Sequence, residues 1–123
     1  MGLIRTKTYI KYARINLQEA EAALEAGDHQ VCARKVLFCT DALIKAVAAA
    51  LPMVKADFFS MSQHVFAKRL EDLFDTKDVA DKIASDIFEA RKHAQDQTID
   101  RIRAQKALDH AGSAFTNLHE TFC

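Results

Sequence analysis

Apolar residues recur at helical spacing along most of the chain, and this pattern constrains the fold more than any other feature of the sequence. Within each stripe the steps alternate between three and four positions, so the side chains line one face of an α-helix. Three of the stripes are Ile10, Ala13, Leu17, Ala20 and Leu24; Cys32, Val36, Cys39, Leu43, Ala46 and Ala50; and Ala104, Leu108, Ala111, Phe115, Leu118 and Phe122. Such helices must bury their apolar faces against one another, because they are unstable alone in water.

Helix start and stop signals between the stripes predict five helices. The predicted helices span 5–26, 29–51, 62–75, 78–95 and 99–121. Gly27 suits the end of the first helix, and Asp28 suits the N-cap of the second. Pro52 ends the second helix, and 52–61 is the longest predicted loop. Because the connections are short, we expect one all-α domain over 1–123, an up-and-down antiparallel bundle of four to five helices.

The second predicted helix carries a further apolar line beside its first one. This line consists of Phe38, Ala42, Val47 and Leu51. A helix that is apolar on most sides lies in the centre of a fold or in an interface between subunits. A chain of 123 residues has little material to cover both flanks of this helix. We therefore predict a homodimer.

The charge balance and the cysteines limit the class of protein. Lys and Arg together number 17, as do Asp and Glu, so any contact with nucleic acid must use a local basic patch. No apolar run reaches the 18 residues of a membrane-spanning helix, and no signal peptide is evident. Cys32 and Cys39 have the pattern of small buried residues, and Cys123 is terminal. These features predict a cytoplasmic protein without a membrane partner.

Charged residues interrupt the apolar part of the second predicted helix. Asp41 and Lys45 are four positions apart, in the favourable order for an ion pair within a helix. Charges in such surroundings must reach solvent, a partner charge or a binding site. The pair is therefore either a solvated surface pair or part of a site.

Basic residues also cluster where the fourth predicted helix ends and the fifth begins. Arg91, Lys92 and His93 end the fourth helix, where cations interact favourably with the helix dipole. Arg101 and Arg103 follow on the fifth. Such a cluster either forms an ordinary solvated face or binds phosphate.

Motifs for metals and phosphate loops are missing from the sequence. It contains no His-x3-His pair, no Cys-x2-Cys pair and no Gly-rich phosphate loop, so we predict no metal and no cofactor. His64 shares a helix face with Lys68, four positions on. It either bonds locally near the start of its helix or contributes to a site.

Four segments, taken in order, resemble the HEPN domain family. They are 12–20 with the sequence YARINLQEA, followed by LEAGD at 24–28; TDALIKA at 40–46; QH at 63–64, with Leu70 and Leu73 following; and 89–94, with Arg91 in third place. The family is a helical bundle of about this length and is often dimeric. The resemblance therefore implies the same all-α fold as the apolar stripes.

Members of the HEPN family have several different functions. Some are metal-independent RNases that act as toxins and carry an Arg-x4–6-His motif. Others pair with a small nucleotidyltransferase, either in a toxin–antitoxin system or as a nucleotide-binding partner. For an RNase the resemblance implies that Arg steadies the phosphate and that His moves a proton from the 2′-hydroxyl.

The chain departs from the RNase motif after Arg91. The positions where the family places His are Asp96, Gln97 and Thr98. An ionised Asp repels phosphate and cannot replace imidazole near neutral pH. We therefore predict a non-nucleolytic HEPN-like protein that contacts a nucleotide, RNA or a nucleotidyltransferase partner.

In this hypothesis five polar side chains form the binding site. Arg91 and Lys45 hold phosphate, Asp41 orients Lys45, and Asp96 and His64 lie nearby.

Two alternatives remain open. The first is a metal-independent RNase that uses Arg103 and His110, which have six residues between them and share a helix face, or Arg91 with His93. The second is a helical interaction module without a polar pocket.

Overall fold

The computed structural model describes residues 2–51 and 55–123, and it contains six helices and no strand in that part of the chain. The helices are α1 (Gly2–Glu25), α2 (His29–Ala50), α3 (Lys55–Ser60), α4 (Gln63–Leu70), α5 (Lys77–Ala94) and α6 (Arg101–Phe122). The prediction of an all-α chain is thus confirmed for these residues. None of the described helices combines the length and the apolar character that crossing a membrane requires.

The long helices pack in antiparallel pairs. Near the start of α1, the hydroxyl of Thr6 donates to the carbonyl of Ala46 near the end of α2, at 3.1 Å. Close to the turn between the helices, Lys35 pairs with Glu19 at 2.6 Å. The pair α5 and α6 is arranged in the same way, since the start of α6 lies beside the end of α5. These two helical hairpins form the frame of the fold and bury its core.

Two helix predictions differ from the structure. Part of the predicted loop 52–61 forms α3, because Phe58 is buried and its ring meets that of Phe66 edge-on at 5.9 Å. The third predicted helix was expected to reach residue 75, but α4 ends at Leu70. The amide of Leu73 donates to the carbonyl of Leu70, which tightens the chain into a turn. The predicted stop at Pro52 lies outside the described residues.

The helix α2 is the centre of the fold, with α1, α3, α5 and α6 around it. Of the further apolar line on this helix, Ala42 and Val47 are buried within the chain, whereas Phe38 stays 46% exposed. The chain itself thus covers most of the surface that suggested a second subunit. The homodimer remains a prediction, and the apolar character of α2 no longer supports it strongly.

The cysteines follow their predicted pattern. Cys32 and Cys39 are fully buried on α2, and Cys123 is exposed. Burial raises the pKa of the Cys32 thiol to about 11 and that of the Cys39 thiol to about 12. Both are therefore protonated and inert near neutral pH.

The turn between α1 and α2 depends on a glycine. Gly27 has φ of +78°, and the amides of Gly27 and Asp28 donate back to the carbonyls of Leu24 and Ala23. This is the usual glycine-ended helix terminus, and Asp28 then caps α2 by accepting from the amide of Val31.

Two glycine substitutions test this reading of the turn. Gly27→Ala is expected to lower the free energy of unfolding by about 1–2 kcal/mol, since an L-residue is strained at this φ. Gly112→Ala, inside α6, where nothing beyond the adjoining residues and the backbone of the helix itself lies within 4 Å of the added methyl, is expected to raise it by about 0.5–1 kcal/mol. Urea denaturation followed by circular dichroism measures both, and equal effects of the two changes would contradict the account.

Candidate functional site

A cleft of about 550 Å³ opens between α2, α3, α5 and the start of α6. Its lining combines aromatic and cationic side chains. The lining residues are Ile44, Phe58, Phe59, Phe88, Arg91, Lys92, Gln95, Asp96 and Arg103. The cleft therefore offers ring faces and positive charge side by side.

Arg91 reaches across the cleft from α5 to α2. Its Nη1 donates to the Asp41 carboxylate at 2.5 Å and to the Thr40 hydroxyl at 2.9 Å. A longer bond of 3.4 Å goes to the carbonyl of Leu37. The guanidinium carbon also lies over the Phe59 ring of α3, 5.9 Å from its centre. The guanidinium is thus fixed in place by acceptors on α2 and contacts an aromatic ring on α3.

The expected ion pair between Asp41 and Lys45 is not formed in the described part of the chain. Asp41 pairs with Arg91 instead. Lys45 lines a separate pocket of about 300 Å³, where its neighbours include Tyr12 and Phe38. A contact between α2 and α5 thus takes the place of the expected ion pair within α2. Arg91 and Lys45 line different pockets, and Asp41 lines the one that contains Lys45.

Asp96 lies in the connection between α5 and α6 and lines the cleft. One carboxylate oxygen accepts from the amide of Thr98 at 2.9 Å and from its hydroxyl at 2.8 Å. The other pairs with Nε of Arg103 at 3.0 Å. The bonds from Thr98, and after them the charge of Arg103, hold the pKa of Asp96 below its usual value. Asp96 therefore stays ionised and orients Arg103 at the cleft.

His64 does not join the other predicted site residues. It is exposed near the start of α4, in a shallow depression that it shares with Asp81 and Ser85 of α5. This depression has no lining residue in common with the cleft at Arg91. Of the five predicted binding residues, only Arg91 and Asp96 line the cleft, and Asp41 supports Arg91 from behind.

A second polar region, which we call the α5–α6 seam, lies between those two helices and contains Lys82, Asp86, Glu89, His93 and His110. Nδ1 of His110 donates to one oxygen of Asp86 at 2.9 Å. The other oxygen of Asp86 pairs with Lys82 at 3.1 Å. Burial opposes ionisation of Asp86, but its bonds to His110, Ser113 and Lys82 outweigh it, so the pKa of Asp86 lies below its usual value. This buried carboxylate fixes the orientation of His110.

His93 connects the seam to the cleft. Its Nδ1 accepts from Arg103 at 3.2 Å, and its Nε2 lies 3.6 Å from the Glu89 carboxylate. Its ring stacks on that of His110, with centres 6.1 Å apart and planes 9° from parallel. Burial, helped by the charge of Arg103, lowers the pKa of His93, although Glu89 acts in the opposite direction.

The contacts in the seam show how the two Arg and His pairs of the RNase alternative are arranged. Arg103 and His110 are linked through His93 rather than directly. Arg91 and His93 have different neighbours, since Arg91 contacts α2 and His93 contacts α6. The structure therefore does not bring Arg91 and His93 together.

Sequence reasoning missed the aromatic side of the cleft. Phe58 and Phe59 lie in the predicted loop, and Phe88 lies beside the apolar stripe of α5 (Val79, Ile83, Ile87, Ala90 and Ala94) rather than in it. Two adjacent phenylalanines in a predicted loop indicated that this segment packs against the rest of the chain, because such residues are rarely left in water without a packing partner.

No protein-family model, curated protein or solved structure matches this chain. The resemblance to the HEPN family therefore depends on the sequence motifs alone. A function has to be inferred from the two polar regions, the cleft at Arg91 and the α5–α6 seam.

Proposed function

We propose that this chain is a HEPN-like protein that binds a nucleotide, free or within an RNA strand, in the cleft at Arg91 and does not cut it. The single observation that carries the proposal is the juxtaposition of phenylalanine rings with Arg91, Lys92 and Arg103 in one cleft. A nucleotide presents a flat aromatic base beside an anionic phosphate. Few other common ligands combine these two features.

The ring of Phe59 suits the base. Phe59 is 42% exposed and lines the cleft, and the guanidinium of Arg91 lies over its ring, so a base would stack on the ring face that Arg91 leaves uncovered. Stacking of this kind contributes about 1–3 kcal/mol per base. A volume of about 550 Å³ is within the usual range for small-molecule sites.

The guanidinium of Arg91 suits the phosphate. Its bonds to α2 all use Nη1, so Nη2 and Nε have no hydrogen-bond partner among the described residues. Lys92 likewise has no ion-pair partner in the described chain. Arg91, Lys92 and Arg103 contribute three positive charges to the cleft, and Asp96 and Asp41 contribute two negative charges. The net charge of this group is therefore one positive charge. A planar guanidinium with free nitrogens recognises phosphate in two-bond geometry.

Binding without cleavage is supported by the composition of the lining. Among the described residues, no histidine lines the cleft at Arg91. The proton transfer that RNA cleavage needs therefore has no imidazole at that place.

Removing the ring of Phe59 tests the proposal. Phe59→Ala is expected to weaken binding of nucleoside monophosphates about tenfold, because the base loses its stacking partner. Isothermal titration calorimetry measures the change. The control is Phe38→Ala, which removes a phenylalanine of similar exposure outside the cleft and should leave affinity unchanged. Equal affinities of the two variants would contradict the proposal.

The HEPN resemblance adds partners to this proposal. We propose a cytoplasmic homodimer that works with a small nucleotidyltransferase, as in a toxin–antitoxin pair. The mass of the protein in solution tests the dimer. Co-purification with a nucleotidyltransferase encoded beside it tests the partner.

A second candidate function, a metal-independent RNase, is favoured by one observation in the seam. Asp86 holds Nδ1 of His110, which leaves Nε2 to take a proton from a 2′-hydroxyl, and Arg103 lies one residue away through His93. This candidate predicts RNA cleavage in the presence of a chelator that His110→Ala abolishes. Cleavage that persists in both His110→Ala and His93→Ala excludes it.

A further inference from the structure

Three side chains of the α5–α6 seam converge on one point. Glu89 and His93 lie four positions apart on the same face of α5, and His110 meets them from α6. One potential ligand atom from each lies within 4.8 Å of the others. From this convergence we propose that Glu89, His93 and His110 form a binding site for a divalent transition metal, with Zn²⁺ as the best fit. This goes beyond the proposed nucleotide binding, since none of the three lines the cleft at Arg91.

The donor set and its spacing suit zinc. Two imidazoles and a carboxylate are common zinc ligands, with bond lengths of about 2.0–2.2 Å. Two ligands of a tetrahedral zinc are therefore about 3.3–3.5 Å apart. Nε2 of His93 and the Glu89 carboxylate are already 3.6 Å apart. Small side-chain rotations would bring the three ligand atoms to the separations that a zinc ion requires.

Asp86 prepares His110 for this role. Because Nδ1 of His110 donates to Asp86, the lone pair of the imidazole is on Nε2. A carboxylate behind a ligating histidine is the usual outer partner in zinc sites, where it fixes the tautomer and raises ligand basicity. Asp86 is only 5% exposed and Lys82 also holds it, so its position is well defined.

The burial of the three ligands favours an open site. Glu89, His93 and His110 are each half-buried, so solvent can occupy a fourth position on the metal. Three protein ligands with water in the fourth position are typical of zinc sites that are not purely structural.

Arg103 opposes the metal and provides a second test. It donates to Nδ1 of His93, whereas a metal on Nε2 requires a proton on Nδ1. Metal binding must therefore displace Arg103 from His93, and Asp96 already holds its Nε. Arg103→Gln, which removes the repelling cation, is expected to tighten metal binding about tenfold or more.

Titration with Zn²⁺ or Co²⁺ alone tests the site. All variants carry Cys123→Ser, which removes the exposed thiol as a competing ligand. Calorimetry is expected to show one Zn²⁺ per chain, and Co²⁺ should give visible absorption bands of a four- or five-coordinate ion. Glu89→Gln, which perturbs a partly exposed side chain, and His110→Ala should each weaken Zn²⁺ at least tenfold.

Two matched variants separate this site from adventitious binding. Asp86→Asn is expected to weaken Zn²⁺ about 10–100-fold without removing a ligand. His64→Ala removes an exposed histidine outside the seam and should change nothing. The proposal is overturned if His64→Ala and His110→Ala weaken Zn²⁺ equally, or if Arg103→Gln leaves affinity unchanged. Nucleotide binding is tested separately, on the protein with Arg103 intact and without metal, because Arg103 also lines the cleft at Arg91.

Discussion

Phe66→Ala is expected to lower the free energy of unfolding by about 3–5 kcal/mol, the largest effect of any substitution considered for this chain. Phe66 is fully buried on α4. Its ring lies 5.9 Å from that of Phe58 on α3 and 5.9 Å from that of Phe88 on α5. Truncation would leave a cavity where three helices meet and would remove two aromatic contacts, each of which contributes about 0.5–1.5 kcal/mol.

Loss of the Phe66 ring is also expected to alter the lining of the cleft, because its contact partners Phe58 and Phe88 both line it. Phe38→Ala is the matched control, since it removes a phenylalanine that is 46% exposed. We expect that control to change stability by about 0.5 kcal/mol or less. Urea denaturation followed by circular dichroism measures both variants. If Phe66→Ala is no more destabilising than Phe38→Ala, the packing of α3 and α4 described above is wrong.

Arg91→Ala is expected to weaken nucleotide binding by about 10–150-fold. Hydrogen bonds to charged groups contribute about 1.5–3 kcal/mol, and each 1.4 kcal/mol is a factor of ten in affinity. Arg91 lines the cleft, its Nη2 and Nε have no hydrogen-bond partner among the described residues, and Asp41 and Thr40 hold the guanidinium in position. The Asp41 side chain is 34% exposed, so water can solvate it when Arg91 is removed.

Lys45→Ala is the control for Arg91→Ala, because it removes the same charge from the separate pocket beside Tyr12. We expect it to change nucleotide affinity by less than about threefold. Calorimetric titration with nucleoside monophosphates measures the pair. Equal losses would mean that overall charge, rather than the cleft, governs binding. A large loss in Lys45→Ala alone would move the site to the pocket beside Tyr12.

The long helices were predictable because their stability depends on repeated apolar positions that the sequence displays. The short helix α3 was not, since its formation depends on Phe58 packing against Phe66, a contact between segments that local pattern does not reveal. Contacts between distant segments also limited how much of the site could be predicted from the sequence. Spacing along one helix suggested a bond between Asp41 and Lys45, whereas the actual partner of Asp41 is Arg91, 50 positions away.

Some site residues were nevertheless identified from the sequence. Arg91, Asp96 and Arg103 were noted as charged residues around the break between the last two helices, and all three line the cleft. The seam was missed as a cluster because its histidines are on different helices. A search for His-x3-His spacing does not find Glu89 and His93 opposite His110.

Calorimetric titration of the unmodified protein with a nucleoside, with inorganic phosphate and with the corresponding nucleoside monophosphate shows whether one cleft recognises a base and a phosphate together. We expect the monophosphate to bind with one site per chain and at least tenfold more tightly than either fragment. Recognition of both groups in one cleft is excluded if the nucleoside or phosphate alone binds as tightly as the monophosphate, or if no monophosphate binds.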